Sequence, residues 1–235
     1  MTMEVDWATK EEILYGSPAY WRLVRMMRFL YNLVGKVEIV GAEKIPREGG
    51  VIIAINHLGR LDTPLVAIAS PRKLTPFGAA KYRSWPIFRQ LMEAANVIWV
   101  QRGEIDREAL QKALAVLRLG GGLGIAPEGT RSPTRALQRG KEGVAYLASR
   151  ADVPIVPAGV TGTERLKDDL GRLRRMHMRI VFGEPFRLPA GRLRGDELTE
   201  AADLVMRKIA ALLPPAYRGV YAEAVGGGGV PQDVR

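Results

Sequence analysis

A histidine and an aspartate stand five residues apart at the point where an apolar run of the sequence ends. The run "VIIAIN" leads directly into His57, and Asp62 follows after "LGRL". Histidine gains and loses a proton near neutral pH, so it can act as a general base, and a neighbouring carboxylate can accept the second ring N–H. Taken alone, H-x4-D is a weak signal that marks a structural histidine more often than a catalytic one.

The sequence gives this pair no partner for covalent catalysis. It contains no cysteine and no serine in a G-x-S-x-G turn, which are common nucleophiles of acyl-enzyme chemistry. The pair is therefore expected to deprotonate a substrate hydroxyl directly. The only other histidine, His177, lies 120 residues away between two methionines and is interpreted as structural, so a histidine-rich metal site is not expected.

A second candidate site is the segment "PEGTR", which follows the apolar run "GLGIA". Gly129 permits a tight turn whose backbone N–H groups suit an anion, and Arg131 adds a bidentate phosphate ligand, with Thr130 between them. Glu128 is expected to hold the loop or to bond a substrate hydroxyl. The alternative is a strand-to-loop turn with a solvated arginine, which the motif alone favours equally.

Polar residues also follow two further apolar runs. Lys81 comes at the end of "KLTPFGAA", and Gln101 and Arg102 come after "NVIWV". Each cation taken singly is best explained as surface charge. If the runs are parallel strands, however, their carboxyl ends bring these groups to one edge of the sheet, where active sites form. That convergence, more than any one motif, favours a functional site.

The elements that must position these residues are strands alternating with helices. Seven short apolar runs indicate strands, and segments of helical period separate them, with "EIDREALQKALAVLRLGG" the clearest. Alternation of this kind predicts an α/β fold, a single domain with a mostly parallel sheet of about seven strands flanked by helices. We expect the domain to occupy residues 37–215 and to be followed by a flexible tail over 216–235.

The segment before the domain, residues 1–36, is expected to contain an amphipathic helix. Ser17 suits its N-cap, and Arg22, Arg25 and Arg28 gather on one side beside aromatic and aliphatic residues. This composition is typical of a helix that docks in a membrane interface, with arginines reaching lipid phosphates. The alternative is a helix packed on the domain with a solvated arginine stripe.

The charge of the chain favours anionic partners. The net charge is +10 and the isoelectric point is about 10.1. Anionic lipid, phosphorylated substrates, acidic carrier proteins and nucleic acid would all suit this excess. Nucleic acid is disfavoured because arginine does not alternate with aromatic residues in an exposed strand and no recognition motif is present. The absence of cysteine also suits a reducing compartment.

Four ordered blocks of the sequence resemble the motifs of the glycerolipid acyltransferase family. The blocks are "NHLGRLD" at 56–62, "NVIWVQR" at 96–102, "EGTR" at 128–131 and "VPIVPAGV" at 153–160. The first has Gly59 where the family usually has serine, and the second has Asn96 and Gln101 where glycine and aspartate are frequent. The last two match without change. The resemblance extends over about residues 35–185.

This resemblance implies an O-acyltransferase. It would move a fatty acyl chain from an acyl-CoA or acyl carrier protein thioester to the free hydroxyl of lysophosphatidic acid (1-acyl-sn-glycerol-3-phosphate), giving phosphatidic acid without a covalent acyl-enzyme. His57 would remove the hydroxyl proton, and Asp62 would orient His57. Arg131 and Lys81 would bind the acceptor phosphate, with Arg102 assisting. No metal or cofactor is expected.

The same resemblance implies that Gly129 shapes the pocket and that Glu128 and Thr130 belong to the substrate-binding segment. It also implies that the N-terminal helix docks on an anionic membrane surface, which would make the protein peripheral on the cytoplasmic face of the cell membrane. Because Gly59 and the second block depart from the family pattern, other acceptors stay open: glycerol-3-phosphate, a lyso-ornithine lipid or a glycolipid. A non-enzymatic basic protein that binds lipid or nucleic acid is the less favoured alternative.

Overall fold

The computed structural model describes residues 7–101, 103, 106–172 and 174–225 of the 235-residue chain. Within these residues, strands and helices alternate after two N-terminal helices. The strands are β1 (Gly35–Val40), β2 (Val51–Ile55), β3 (Leu74–Ala79), β4 (Ile98–Val100), β5 (Gly122–Ile125), β6 (Ile155–Thr161) and β7 (Met176–Phe182). The helices are α1 (Lys10–Tyr15), α2 (Pro18–Val34), α3 (Asp62–Ala69), α4 (Pro86–Ala94), α5 (Arg107–Arg118), α6 (Gly143–Ala151), α7 (Leu166–Gly171) and α8 (Asp196–Ala211).

These strands form one seven-stranded sheet in the order β1-β7-β6-β2-β5-β3-β4. Every neighbouring pair is parallel except β6 and β7, which run antiparallel. The predicted α/β fold with a mostly parallel seven-stranded sheet is therefore confirmed. Strands β2 to β6 all point the same way, so their carboxyl ends meet at one edge, which is where a site is expected in such a sheet.

The apolar core lies on both faces of the sheet, because successive residues of a strand point to opposite faces. On β2, Ile52 packs in a cluster with side chains of α5, α6 and α8, whereas Ile53 packs in a second cluster with side chains of α2 and α3. Both isoleucines are fully buried, and burial of each contributes roughly 1.5–3 kcal/mol. Two helical layers thus hold β2 and leave its carboxyl end open between them.

The helix predicted in the N-terminal segment forms as α2. The Ser17 hydroxyl caps it by accepting a hydrogen bond from the Tyr20 backbone N–H (3.1 Å), and Pro18 occupies the first turn. Its inner face is buried against the domain at Tyr20, Val24 and Tyr31. Among the residues that the structure describes, no helix combines the length and apolar character needed to cross a bilayer.

Two polar contacts fasten α2 to the α3 region. The Tyr31 hydroxyl donates to the carbonyl of Leu61, immediately before α3, at 2.6 Å. The Arg28 guanidinium donates to the carbonyl of Ile68 near the end of α3 at 2.7 Å. All three arginines of the predicted stripe are exposed, and Arg28 is the one whose side chain bonds to the domain. Burial raises the pKa of Tyr31, and the nearby negative charge of Asp62 raises it further, so the hydroxyl stays a donor.

The segment after residue 215 differs from the flexible tail predicted for 216–235. Tyr221 is buried, and its hydroxyl donates to Asp203 (2.7 Å) and accepts from the backbone N–H of Gly140 (3.3 Å). Arg218 is also buried and donates to the Leu213 carbonyl (3.0 Å). The prediction is wrong for 216–225 because a buried aromatic ring with a satisfied hydroxyl gives this segment enough contact to be held. Residues 226–235 lie outside the described residues.

Candidate active site

The predicted His57–Asp62 pair forms at the carboxyl end of β2. Nδ1 of His57 lies 2.8 Å from Oδ2 of Asp62, the first residue of α3. The aspartate side chain is fully buried, whereas the histidine side chain is 16% exposed and lines a large cavity. When the ring Nδ1–H donates to the carboxylate, Nε2 is the nitrogen available as a base. The pair therefore has the geometry that proton abstraction requires.

Asp62 is held by four hydrogen bonds. Besides His57, its Oδ2 accepts from the backbone N–H groups of Leu58 (2.7 Å) and Gly59 (2.8 Å). Its other oxygen, Oδ1, accepts from the hydroxyl of Thr163, in the turn that follows β6. Both carboxylate oxygens thus have partners inside the protein. A buried carboxylate with this many donors is held in a fixed orientation.

Thr163 did not emerge from the sequence. It lies 101 residues from Asp62, and it belongs to the segment directly after the "VPIVPAGV" block. The neighbouring positions of β6 and β2 in the sheet bring it to Asp62. Gly59 also packs near this turn, because a Cβ at residue 59 would lie 3.2 Å from the Thr163 carbonyl oxygen. The sequence signal that could have identified Thr163 is its position just after β6, a strand that pairs with β2.

The backbone of His57 is fixed as firmly as its ring. Its N–H donates to Oε1 of Glu128 (2.9 Å), and its carbonyl accepts from the N–H of Ser132 (2.8 Å). The preceding Asn56 is buried and exchanges two side-chain hydrogen bonds with the backbone of Val160 on β6, at 2.7 and 2.8 Å. The first, third and fourth sequence blocks therefore meet at this histidine.

Glu128 supports the loop rather than facing the cavity. Its second oxygen, Oε2, accepts from the backbone N–H and the side-chain amide of Gln138, at 3.1 and 3.2 Å. The residue is 3% exposed, and burial raises the pKa of its carboxyl, partly offset by the hydrogen bonds from His57 and Gln138. Of the two roles expected for Glu128, holding the loop fits this arrangement, and contact with a substrate hydroxyl does not.

The rest of the "EGTR" segment faces the cavity in part. Gly129 has φ of +69°, a conformation that favours glycine, and it lines the cavity together with the half-buried Arg131. Thr130 is exposed. Lys141, which the sequence did not single out, lies so close to Gly129 that a Cβ there would be 3.2 Å from its Nζ. Lys141 also lines the cavity.

Of the two remaining predicted cations, the structure describes only Lys81, which lies beside a residue of the cavity wall. Lys81 is exposed, and its Nζ lies 5.3 Å from the ring centre of Tyr82, which lines the cavity. Arg102 lies outside the described residues, next to Gln101, another lining residue. We refer to Lys81, Arg131 and Lys141 as the cationic rim. Arg131 and Lys141 line the cavity and Lys81 lies beside a lining residue, so an acidic ligand in the cavity would have several positive charges nearby.

The cavity that His57 opens into has a volume of about 1150 Å³. Its walls are mainly apolar and come from two sides of the fold. One side is formed by α2, α3 and α4, with Val24, Met27 and Phe88 among its residues, and the other by α5 and α6, with Leu114 and Tyr146. A space of this size and character suits long apolar chains held beside a polar reacting group.

This chain belongs to the Acyltransferase family, because the model of that family matches residues 36–161. It is 30% identical over 181 residues to the probable 1-acyl-sn-glycerol-3-phosphate acyltransferase of Mycoplasma pneumoniae, covering 70% of this chain and 66% of that protein. It is 32% identical over 133 residues to the 1-acyl-sn-glycerol-3-phosphate acyltransferase of Borreliella burgdorferi, covering 54% of this chain and 52% of that one. It therefore spans between half and two thirds of these relatives.

A solved structure shows the same fold. The 1-acyl-sn-glycerophosphate acyltransferase of Thermotoga maritima matches with a TM-score of 0.65 at 21% sequence identity, covering 82% of this chain and 78% of that one. The α/β architecture is thus shared between chains that have diverged widely in sequence.

Proposed function

We propose that the protein is an O-acyltransferase that transfers a fatty acyl group from a thioester to the free hydroxyl of 1-acyl-sn-glycerol-3-phosphate. The observation that carries this proposal is the hydrogen-bonded His57–Asp62 pair, with its histidine opening into a large apolar cavity that has a cationic rim. The names of the relatives support the same acceptor. The products would be phosphatidic acid and a free thiol.

In this mechanism His57 is the general base. Its Nε2 accepts the proton of the acceptor hydroxyl as the hydroxyl oxygen attacks the thioester carbonyl carbon. The tetrahedral intermediate then expels the thiolate, which takes the proton from the imidazolium. Asp62 holds the ring through Nδ1 and stabilises its positive charge. Proton transfer of this kind contributes roughly 10²–10⁴ in rate, and no bond to the enzyme forms at any step.

The cationic rim would bind the phosphate of the acceptor. Arg131 is half-buried in the cavity wall and close in sequence to the turn that holds His57, so it is the residue best placed to do so. Its planar guanidinium can form two parallel hydrogen bonds to one phosphate. Lys141 and Lys81 would add charge, and Arg102 is proposed to assist from its position after β4.

The outer face of α2 would rest on the membrane surface. Met26, Phe29, Leu30 and Leu33 are between 45% and 67% exposed and follow one another at helical spacing. The exposed Arg22 and Arg25 lie beside them, where they would reach lipid phosphates. Trp85, at the start of α4, is also half exposed and lines the cavity. A lipid could therefore pass from the bilayer into the cavity between α2 and α4, with the protein peripheral on the cytoplasmic face.

The proposal is tested by following thiol release from palmitoyl-CoA and palmitoyl carrier protein in detergent micelles. We expect release that depends on added lysophosphatidate, together with phosphatidic acid detected by mass spectrometry. Glycerol-3-phosphate, a lyso-ornithine lipid and a monoacyl glycolipid serve as competing acceptors. Turnover with one of these and none with lysophosphatidate would contradict the assigned acceptor, while leaving the acyl-transfer chemistry in place.

A further inference from the structure

A second, smaller cavity of about 460 Å³ lies beside the main one and is lined by three arginines. These are Arg150 at the end of α6 and Arg192 and Arg194 in the segment that leads into α8. Within the described residues, none of the three forms an ion pair with a carboxylate. Three like charges around a concave surface repel one another until an anion neutralises them.

The fold brings these arginines together through backbone contacts. The N–H of Gly191 donates to the carbonyl of Ser149 (3.3 Å), which places Arg192 next to Arg150. The N–H of Arg194 donates to Oε2 of Glu197 (3.2 Å), so that the carboxylate is engaged with the backbone at the start of α8. The cluster is therefore set by the meeting of two elements rather than by chance proximity of long side chains.

This arginine pocket shares a wall with the active-site cavity. Tyr146 and Leu198 line both cavities. Helix α6 begins at Gly143, which also lines the main cavity, and Arg150 lies seven residues further along, about 10 Å at the rise of an α-helix. The two cavities adjoin at Tyr146 and Leu198. An extended ligand with its reactive end at His57 could thus run past these two residues and end among the arginines.

We propose that the arginine pocket binds the phosphate groups of an acyl-CoA donor, a proposal that rests on the acyl transfer described above. The diphosphate and 3′-phosphate of coenzyme A would meet Arg150, Arg192 and Arg194, whose guanidinium groups suit phosphate oxygens. The pantetheine chain would pass Tyr146 and Leu198 and bring the thioester to His57. Donor and acceptor phosphates are then bound at separate places, the acceptor at the cationic rim and the donor at the arginine pocket.

The shape of the pocket favours coenzyme A over an acyl carrier protein. The three arginines surround a small concave space, which matches a compact ligand with several phosphates. A carrier protein would instead need a broad contact, typically about 800 Å² on each partner. The experiment must therefore distinguish an arginine pocket that binds coenzyme A from one that binds a carrier protein.

The test compares two variants of the full chain that remove the same charge. Arg150, Arg192 and Arg194 are replaced together by Gln in one, and the exposed Arg47, Arg172 and Arg174 in the other, which serves as the matched control. Initial rates are measured with palmitoyl-CoA, with S-palmitoyl-pantetheine, which has no phosphate, and with palmitoyl carrier protein. Coenzyme A binding is measured separately by calorimetry, so that this result does not depend on turnover.

We expect the pocket variant to raise KM for palmitoyl-CoA roughly tenfold or more and to weaken coenzyme A binding by a similar factor. Its kcat, its KM for lysophosphatidate and its KM for S-palmitoyl-pantetheine should match those of the wild type, as should all values for the control. Unchanged KM and affinity for coenzyme A, or an equal change in the control, would overturn the proposal. So would a KM that rises only with the carrier protein. If the wild type turned over no thioester, acyl transfer itself would fail, whereas coenzyme A binding would still test the pocket.

Discussion

The pair that we propose for proton transfer, His57 and Asp62, and the residues that hold it are called the centre; it lies at the same cavity as the cationic rim, but the two are built in opposite ways. In the centre, Asp62 is fully buried with both oxygens bonded, and Glu128, which accepts from the His57 backbone, is 3% exposed and also has both oxygens bonded. In the rim, Arg131 is half-buried and Lys81 is exposed. A buried hydrogen-bonded network fixes geometry, because leaving any member unpaired is costly, whereas exposed cations can adapt to a charged ligand. Substitutions in the centre should therefore lower kcat, and those in the rim should raise KM.

The largest effect is expected for Asp62→Asn, which keeps the size of the side chain but removes its charge. The amide would no longer stabilise the imidazolium and could impose the wrong tautomer on His57, so kcat should fall by roughly 10³–10⁴. Steady-state kinetics with lysophosphatidate would show this, with KM nearly unchanged. Asp168→Asn, at a carboxylate that pairs with Arg135 on the surface, is the matched control. A loss of less than tenfold would remove Asp62 from the centre.

In the rim, Arg131→Ala should raise KM for lysophosphatidate by roughly 10–100-fold with a smaller change in kcat, because a charge-assisted contact to phosphate is lost in the ground state. A monoacylglycerol, which has no phosphate, should be acylated at the rate of the wild type. Arg139→Ala provides a control at an exposed arginine nearby. An equal effect on both acceptors would mean that Arg131 supports the loop rather than the phosphate.

A smaller effect, about tenfold on kcat, is expected for Thr163→Val, which leaves Oδ1 of Asp62 without its donor. Thr163→Ser keeps the hydroxyl and should restore most of the activity. Because the residue acts through Asp62, KM for both substrates should be unchanged in each variant. A KM that rises while kcat stays at the wild-type value would contradict the placement of Thr163 in the centre. A serine variant as impaired as the valine variant would contradict it too.

The contrast between buried and exposed cations extends to stability. Lys73 is 1% exposed, its Nζ donates to Thr75 Oγ1 (2.8 Å) and the Ala95 carbonyl (3.0 Å), and burial lowers its pKa to about 7. Between this pH and the ordinary lysine value near 10.4, the unfolded chain holds a proton that the folded chain lacks. Raising the pH through this window therefore favours folding, by at most about 1.4 kcal/mol per pH unit.

Urea denaturation at pH 7.5 and pH 9 would measure this contribution. The free energy of unfolding should rise with pH more steeply in the wild type than in Lys73→Met, which has no proton to bind at this position. Lys81→Met, at an exposed lysine of the rim, should leave the slope unchanged. Identical slopes for the wild type and Lys73→Met would show that Lys73 does not titrate in this range.

The sequence predicted the sheet and the contact between His57 and Asp62 well because both follow local patterns. Apolar runs of strand length give the seven strands, and the H-x4-D spacing places Asp62 at the first turn of a helix beside His57. The prediction that polar residues after different strands meet at one site followed from the parallel arrangement of those strands.

What the sequence missed depends on contacts between distant residues. Thr163 reaches Asp62 across 101 positions, and Lys141 approaches Gly129 because the loop before α6 folds back. Glu128 lay in a recognised motif, yet only its hydrogen bond to the His57 backbone, 71 positions away, distinguishes a loop support from a substrate ligand. The segment up to Tyr221 was predicted to be a flexible tail because a single buried aromatic ring changes the composition of a segment very little.

The central claim, that His57 is the base in acyl transfer, is tested most directly by comparing the chain's two histidines. Initial rates of phosphatidic acid formation are measured for His57→Ala and for His177→Ala, whose histidine is exposed on β7, with circular dichroism to show that both fold. We expect a loss of roughly 10³–10⁴ for His57→Ala, at least as large as that for Asp62→Asn, and the rate of the wild type for His177→Ala. A folded His57→Ala variant with activity near that of the wild type would contradict the account.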